Sequence, residues 1–193
     1  MTPEDIMHIV VTAFTSLDGV VQAPGGPDED RDGGFAHGGW SMRYFDPEVM
    51  GAAWNDALAS ADAMLFGRRT WEVSGPVWSA QAGDPFADRM NAIPKYVVSR
   101  SLTDASAWAN STVLADPRRL PEGEGRLLVM GSPSVVRELV DADLVDEYRL
   151  MIEPVLLGGG KSIFPTTGNS RGLELVEATT AATGTLVCTY RKA

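Results

Sequence analysis

The sequence predicts an α/β fold with a mixed, mostly parallel central sheet, flanking helices and a C-terminal antiparallel hairpin. Short apolar runs alternate with segments of helical periodicity from His8 to Ala142, which is typical of parallel strands joined by helical crossovers. Glycine or hydroxyl residues follow several of these runs, as they do where a strand turns into a helix. Two later strand-like runs are separated only by an Ala-Thr-Gly turn, which favours a hairpin.

Length and composition limit the classes of protein. With 193 residues, 44% of them hydrophobic, the chain is predicted to form one domain over residues 1–193. A net charge of −10 argues against nucleic acid and anionic membranes as partners. One cysteine allows no internal disulfide, and with only two histidines we expect no metal site. The sequence opens without a basic leader or a long apolar run, so we predict no membrane span and a cytoplasmic location.

The first predicted strand, His8–Thr15, is rich in β-branched residues and ends at an Asp-Gly turn. Residues 22–45 then form a surface loop, because the glycines, prolines and aspartates of Ala23–Gly39 cannot bury a core. Loops of this length in compact domains are commonly lids. Trp40 and Phe45 favour a lid that covers a pocket, and both are predicted to contact substrate there; alternatively, these aromatic side chains only fix the loop to the core.

Asp46-Pro47 predicts the start of a helix, whose apolar residues recur at helical spacing as far as Ala61. The stretch from Trp71 to Ala82 is irregular and predicts no helix. The other predicted elements are, in chain order, a strand at Ala63–Phe66, a helix at Asp84–Ala92, strands at Tyr96–Val98 and Trp108–Ala115, a connection at Arg118–Gly125, a strand at Leu127–Met130, a helix at Val135–Ala142, a long strand after Asp146, and strands at Leu173–Ala181 and Thr185–Arg191.

The motif AMLFGRRTWE, at Ala63–Glu72, predicts an anion-binding site where a strand meets a helix. Gly67 ends the apolar run and lets a ligand approach the main chain closely. The free N–H groups of the first helical turn favour an anion, and the helix dipole adds to this preference. Arg68, Arg69 and Thr70 contribute two guanidinium groups and a hydroxyl, which together suit several phosphate oxygens.

Two more strand ends carry similar groups: Ser99 and Arg100 follow one strand, and Gly131-Ser132-Pro133-Ser134 opens the next helix. Because the carboxyl ends of parallel strands meet at one edge of a sheet, these places predict a single extended ligand across that edge. Singly, each has an ordinary alternative, such as a plain turn, a helix cap at Ser134 or a solvated arginine. The chain contains neither GxGxxG nor GxxxxGK[ST], so neither a Rossmann fingerprint nor a P-loop is indicated.

The turn Gly158-Gly159-Gly160-Lys161 has two interpretations that the sequence leaves open. In one, Gly159 belongs to a flexible wall and Lys161 is a cationic tip that contacts substrate. In the other, the segment is a bulged turn with a solvated lysine. Glu147 and Glu153 on the preceding strand are predicted to be structural or solvated, although Glu153 facing a pocket is an alternative.

Five motifs, in this order, carry a family resemblance: SLDG, LFGRRTWE, KYVVSRSL, LLVMGSPSVVREL and LVDEYRLMIEPVLLGGGKSIF. Over nearly the whole chain, they resemble the dihydrofolate-reductase-like superfamily. Within it the chain looks most like the reductase domain of the bifunctional riboflavin-biosynthesis deaminase–reductase and its stand-alone relatives. The resemblance implies a dihydrofolate-reductase-like sheet, NADPH as cofactor and a homodimer, for which the strand-rich C-terminal third offers a sheet edge or face.

The resemblance also implies a role for each group of site residues. The 2′-phosphate of NADPH would face Arg68, Ser99 and Arg100. Asp18 is the polar candidate near the reacting carbon and hence the candidate catalytic residue. The remaining implied cofactor contacts are Gly67 with the phosphates, Arg69 and Thr70 with the pyrophosphate region, Gly131, Ser132, Ser134 and Val135 with the pyrophosphate at the helix start, and Ala13, Gly19 and Val20 beside the nicotinamide.

The function that follows from the resemblance is hydride transfer from NADPH to a small polar heterocyclic or ribityl-type substrate, as in 5-amino-6-(5-phosphoribosylamino)uracil reduction. The alternatives are a dihydrofolate or pteridine reductase and a non-catalytic NADPH-binding protein. Only the first glycine of the family's glycine turn is present, at Gly131. A cis Ser132-Pro133 bond would suit this turn, and the alternative is a trans Pro133 at the first helical position.

Overall fold

Eight strands form one sheet in the computed structural model, which describes residues 7–120, 123–165, 168 and 170–193. The predicted connection 118–125 lies partly outside these residues, and the opening MTPEDI lies wholly outside them. The strands are β1 His8–Ser16, β2 Ala63–Gly67, β3 Lys95–Val98, β4 Ser111–Leu114, β5 Arg126–Met130, β6 Glu147–Glu153, β7 Leu173–Thr180 and β8 Leu186–Lys192.

The strand order across the sheet is β4-β3-β2-β5-β1-β6-β8-β7. All neighbours from β4 to β6 are parallel, whereas β8 is antiparallel to both β6 and β7. β1 lies inside the sheet, with Ile9 opposite Leu127 of β5 and Val10 opposite Glu147 of β6. The predicted α/β class, the mostly parallel sheet and the C-terminal antiparallel hairpin are therefore confirmed.

Helices cover both faces of the sheet, because strand side chains alternate between the two sides. In β2, Leu65 joins the buried cluster that includes Leu139 of one helix, while Phe66 joins the cluster of the opposite face with Leu58 and Met90. The helices are α1 Val49–Ala59, α2 Arg68–Ser79, α3 Pro85–Ala92 and α4 Pro133–Asp141. Helix α4 thus packs on one face, and α1 and α3 pack on the other.

Helix α2 continues to Ser79, so the prediction of irregular structure after Trp71 was wrong. Gly75 and Pro76 resemble a helix break, but tertiary packing outweighs their low propensity. A Cβ atom at Gly75 would lie only 3.4 Å from the Trp108 Cβ atom, so glycine lets the helix pack closely on this buried ring. The indole of Trp71 is also buried in this core.

Strand β4 is shorter than the predicted strand from Trp108 to Ala115. The Trp108 side chain is buried, and its Nε1 donates to Asn91 Oδ1 at 2.7 Å. Asn110 then adopts a φ of 60°, which turns the chain before β4 begins. Trp108 is therefore a core residue outside the strand. In the described ranges, no helix combines the length and apolar content needed to cross a bilayer.

Candidate functional site

Three strand ends meet at the carboxyl edge of the sheet around a cavity of about 650 Å³, the larger cavity. Gly67 at the end of β2 is opposite Val98 at the end of β3, and β2 also pairs with β5. The sequence motifs after these three strands are thereby brought together. The larger cavity is lined by Gly67, Arg68, Arg69, Thr70, Val98, Ser99, Arg100, Ser132, Pro133, Ser134 and Val135, together with Ala115, Pro117, Arg137 and Glu138 of neighbouring segments.

A hydrogen bond links the N-termini of α2 and α4 directly beside this cavity. The backbone N–H of Gly67 donates to the buried Ser132 Oγ atom at 2.8 Å. A Cβ atom at Gly67 would lie 3.3 Å from Val135 Cγ2, so a side chain here would push the two helices apart. Gly131 and Ser132 both have positive φ, at 65° and 59°, and together they turn β5 into α4.

The Ser132-Pro133 bond is trans, and Pro133 occupies the first turn of α4. The trans bond with Pro133 at the start of the helix is therefore the interpretation that holds, and the cis interpretation was wrong. Proline suits the first turn because its missing N–H removes no intrahelical hydrogen bond there.

The basic residues on the rim of the larger cavity differ in their partners. Arg68 Nη1 donates to Ser101 Oγ at 2.9 Å, and its Nε lies 3.0 Å from Glu72 Oε1. The exposed Arg100 side chain forms no ion pair or hydrogen bond with any residue that the structure describes. Ser99 Oγ accepts two N–H groups of the following turn, which leaves its own proton to donate.

The loop 22–45 places two carboxylates in the larger cavity, which its composition did not reveal. Asp30 Oδ2 lies 2.6 Å from Lys161 Nζ. Asp32 Oδ2 lies 2.6 Å from Arg69 Nη1 and 3.0 Å from Lys161 Nζ. Hydrogen bonds from Arg69 and Lys161 lower the pKa of Asp32 to about 2. The loop thus supplies counter-charges to two residues that the sequence predicts as ligand contacts.

A second cavity, of about 580 Å³, lies between this loop and the glycine turn and is called the smaller cavity. Gly159 and Lys161, the predicted substrate contacts of the turn, both line it. The rings of Phe35 and His37 on its other side lie edge to face, with centroids 5.6 Å apart. Neither ring was a predicted site residue, because no regular spacing marks them in the loop sequence. The two cavities share Asp32 and Lys161 as lining residues.

Asp18, the candidate catalytic residue, lines neither cavity. Its carboxylate accepts a hydrogen bond from Ser16 Oγ at 2.6 Å and from the N–H groups of Leu157 and Gly158. The hydrogen bonds from Ser16 and Gly158 lower the pKa of Asp18. The structure therefore makes Asp18 an ionised acceptor that ties the turn after β1 to the segment after β6. Its catalytic role stays a prediction.

Trp40 and Phe45 also lie outside both cavities, and their contact with substrate stays a prediction. Trp40 is buried, and its Nε1 donates to the Gln22 carbonyl oxygen at 2.8 Å. Phe45 packs near Phe14, with ring centroids 6.4 Å apart. Both aromatic residues anchor the end of loop 22–45 to the interior, which was the alternative interpretation.

The residues expected beside the nicotinamide, Ala13, Gly19 and Val20, lie in the interior or in the turn after β1. Ala13 is buried in the core cluster on the α4 face. Gly19 has a φ of 82° and forms the turn after β1, and the following Val20 is buried. A Cβ atom at Gly160 would lie 2.6 Å from Val20 Cγ1, so these two segments pack in direct contact. None of the three lines either cavity, and their contact with the nicotinamide stays a prediction.

Glu153 is a buried carboxyl at the end of β6, where it lies opposite Ser16 of β1. Its Oε1 accepts a hydrogen bond from Ser41 Oγ at 2.5 Å, whereas Oε2 has no partner in the described part of the chain. Burial raises the pKa of Glu153 to about 7. The sequence left open whether this carboxylate faces a pocket, and the structure encloses it instead beneath the loop 22–45.

The parallel sheet with its C-terminal hairpin, and the cavity at the carboxyl ends of its strands, define an α/β protein with a candidate ligand site at the sheet edge. The chain belongs to the RibD C-terminal domain family, whose profile matches residues 7–187. The resemblance drawn from the sequence motifs is thereby confirmed.

Relatives of this chain extend over almost its full length. The uncharacterized protein YyaP of Bacillus subtilis (strain 168) is 25% identical over 192 residues, covering 95% of this chain and 94% of its own. A Shewanella sp. PV-4 protein named for riboflavin biosynthesis superposes with a TM-score of 0.69 at 18% identity, covering 97% and 99% of the two chains. A pyrimidine reductase-like protein from Corynebacterium diphtheriae gives a TM-score of 0.62 at 13% identity, covering 96% and 92%. At these identities, the two structures show a shared fold.

Proposed function

We propose that the protein is an NADPH-dependent reductase that transfers hydride to a small polar heterocyclic or ribityl-type substrate, of the kind reduced in riboflavin biosynthesis. The observation that carries the proposal is the larger cavity, where two helix N-termini meet Arg68 and Arg100. Membership of a reductase family that generally uses NADPH supports the same conclusion.

The groups that line the larger cavity fit the cofactor chemically. Backbone N–H groups at the starts of α2 and α4 suit a pyrophosphate. Arg100, which has no partner in the described part of the chain, suits the dianionic 2′-phosphate together with Arg68 and Ser99. When bound, NADPH supplies the hydride, whereas the protein binds its phosphates, aligns the reactants and excludes water.

The smaller cavity is the proposed substrate site. It adjoins the larger one through Asp32 and Lys161, so a substrate here would lie next to a cofactor in the larger cavity. The rings of Phe35 and His37 offer a surface for a planar heterocycle, and Lys161 offers a positive charge for an anionic substituent.

The proposal is tested by steady-state oxidation of NADPH with a panel of pyrimidine-ribityl and pteridine substrates. We expect turnover with a pyrimidine-ribityl substrate and none with dihydrofolate or pteridines. Turnover with pteridines alone would make the protein a pteridine reductase. Tight NADPH binding without any turnover would indicate a non-catalytic binding protein, and absence of NADPH binding would contradict the proposal altogether.

A further inference from the structure

Two cations from distant parts of the chain converge on a single carboxylate oxygen. Arg69 Nη1 and Lys161 Nζ lie 2.6 and 3.0 Å from the same Asp32 Oδ2 atom. Arg69 belongs to the first turn of α2, and Lys161 follows the glycine turn. An oxygen held between a guanidinium and an ammonium group is the arrangement that a phosphate oxygen adopts in a binding site.

The position of this carboxylate is the position that a ligand would need. Arg69, Lys161 and Asp32 all line the larger cavity beside Gly67 and the N-terminus of α2. Asp32 and Lys161 also line the smaller cavity, so their ion pair lies at the boundary between the two. A group that replaced Asp32 here would contact both cavities at once.

Asp32 is held in a way that permits its replacement. It begins a single turn of 3-10 helix, Asp32–Gly34, in which no residue is buried. The side chains of Asp32 and Arg69 are 51% and 70% exposed, whereas that of Lys161 is 24% exposed and also pairs with Asp30. The exposed pair with Arg69 contributes little to stability, so exchanging the Asp32 carboxylate for a dissolved anion at this guanidinium costs little.

We propose that Arg69 and Lys161 form an anion subsite, which Asp32 occupies in the free protein and from which a phosphate group of a ligand displaces it. The ligand phosphate belongs either to the cofactor pyrophosphate or to a phosphate ester of the substrate; this assignment rests on the proposed function, whereas the subsite itself does not. Displacement of Asp32 removes its contacts with Arg69 and Lys161 at the boundary between the two cavities, whereas Asp30 keeps its contact with Lys161.

The test measures the affinity of inorganic pyrophosphate by titration calorimetry in the unmodified protein and in two variants. Asp32→Asn removes the carboxylate that competes at Arg69, while Asp30 keeps its contact with Lys161, and we expect pyrophosphate to bind about three- to fivefold more tightly. Asp28→Asn is the matched control, because Asp28 lies on the same loop and pairs with Arg31 instead. The control should leave the affinity unchanged. Equal or weaker binding to Asp32→Asn would overturn the proposal.

A second background excludes a general effect of charge. When Arg69→Gln and Lys161→Gln are both present, adding Asp32→Asn should no longer change the affinity for pyrophosphate. If Asp32→Asn still raises the affinity for pyrophosphate in this background, Asp32 acts only through the overall charge of the surface, and the proposed subsite is contradicted.

The source of the phosphate follows from two more ligands. If the phosphate comes from the cofactor, Asp32→Asn tightens the binding of NADPH and leaves the affinity for ribose 5-phosphate unchanged. If it comes from the substrate, the reverse holds. A failure of the unmodified protein to bind NADPH would contradict the proposed function, while a tightened pyrophosphate affinity in Asp32→Asn would still support the subsite.

Discussion

Arg100 is an exposed guanidinium on the rim of the larger cavity, without a partner in the part of the chain that the structure describes. In the proposed function it faces the 2′-phosphate, a group that NADH lacks. Arg100→Gln should therefore weaken NADPH binding by about 10- to 100-fold, which corresponds to about 1.5–3 kcal/mol for a hydrogen bond to a charged group. NADH binding should stay nearly the same. Fluorescence titration of both nucleotides measures the difference.

Arg43→Gln is the control for this prediction. Arg43 carries the same charge but stacks over the Tyr44 ring, with its Cζ atom 5.0 Å from the centroid, and lines neither cavity. The control should leave both affinities unchanged. Equal affinities for NADPH and NADH in the unmodified protein would contradict the assignment of Arg68 and Arg100 to the 2′-phosphate.

Glu153 makes the free energy of unfolding depend on pH. Burial raises its folded pKa to about 7, from an ordinary value of 4.5. The folded state therefore binds this proton more tightly than the unfolded state, so the contribution is fully present below pH 4.5 and is lost as the pH rises through about 7. Glu153→Gln should flatten this dependence and raise the free energy of unfolding at pH 8 by about 1–3 kcal/mol.

Urea unfolding from pH 5 to pH 8 measures the effect of Glu153→Gln. Glu48→Gln is the control, because Glu48 is an exposed carboxylate before α1 and lies outside β7. It should leave the pH dependence of the unmodified protein in place. A Glu153→Gln variant with the same slope as the unmodified protein would show that Glu153 is ionised throughout this range.

At the scale of elements, the loop 22–45 consists of a buried base and a mostly exposed tip. Gln22, Ala23, Trp40 and Ser41 are buried at the base. The tip, residues 24–38, is mostly exposed and meets the site through ion pairs. That this loop is a lid stays a prediction, and it concerns the tip, because Trp40 and Ser41 are buried at the base.

Trp40→Phe removes the hydrogen bond from the indole to the Gln22 carbonyl while keeping an aromatic ring. We expect a loss of about 1 kcal/mol in stability. Faster amide exchange should appear in the loop 22–45 and not in the sheet. Hydrogen exchange followed by mass spectrometry measures both regions. Trp78→Phe, at a half-buried ring that packs against Trp54 and Phe86, serves as the control. Exchange in the loop that rises equally in both variants would contradict the anchor.

Helix and strand ends that depend on neighbouring residues in the chain could be predicted from the sequence. Asp84 Oδ1 accepts the N–H of Ala87 at 2.9 Å, so α3 begins where the Asp-Pro pair predicts. The continuation of α2 past Trp71 was not predictable in this way. It depends on Gly75 packing against Trp108, and that contact becomes visible only when the chain is folded.

The same distinction applies to the candidate site. Gly67 and Ser132 could be expected together, because parallel strand ends share one edge of the sheet. The role of Asp18 could not, since its partners Leu157 and Gly158 follow it by 139 and 140 positions. The Asp30 contact with Lys161 likewise spans 131 positions, and no periodicity in a glycine-rich loop predicts it.

At the scale of the whole molecule, β7 forms one edge of the sheet, and all its residues are exposed. Leu173, Leu175 and Val176 are among the large apolar side chains on the surface. Exposed apolar edge strands are usually covered. We therefore propose that the protein is a homodimer in which a second copy covers β7.

Light scattering at micromolar concentration should give the mass of two chains. Leu175→Glu should shift the protein toward the monomer, because a charge would be buried in the interface. Leu156→Glu is the control, since Leu156 is 70% exposed and lies outside β7. A monomer in the unmodified protein would contradict the proposal.

The central position of β1 sets the order in which the molecule can form during translation. Its main chain bonds to segments made much later: the Ile9 N–H donates to Asp146 Oδ2, 137 positions further along the chain. Ile9, Val10 and Val11, all but fully buried at the end, emerge from the ribosome long before their partners exist. Such high contact order makes folding slow. The nascent chain therefore carries an unpaired apolar strand until β5 and β6 have been made, the state in which chaperones bind.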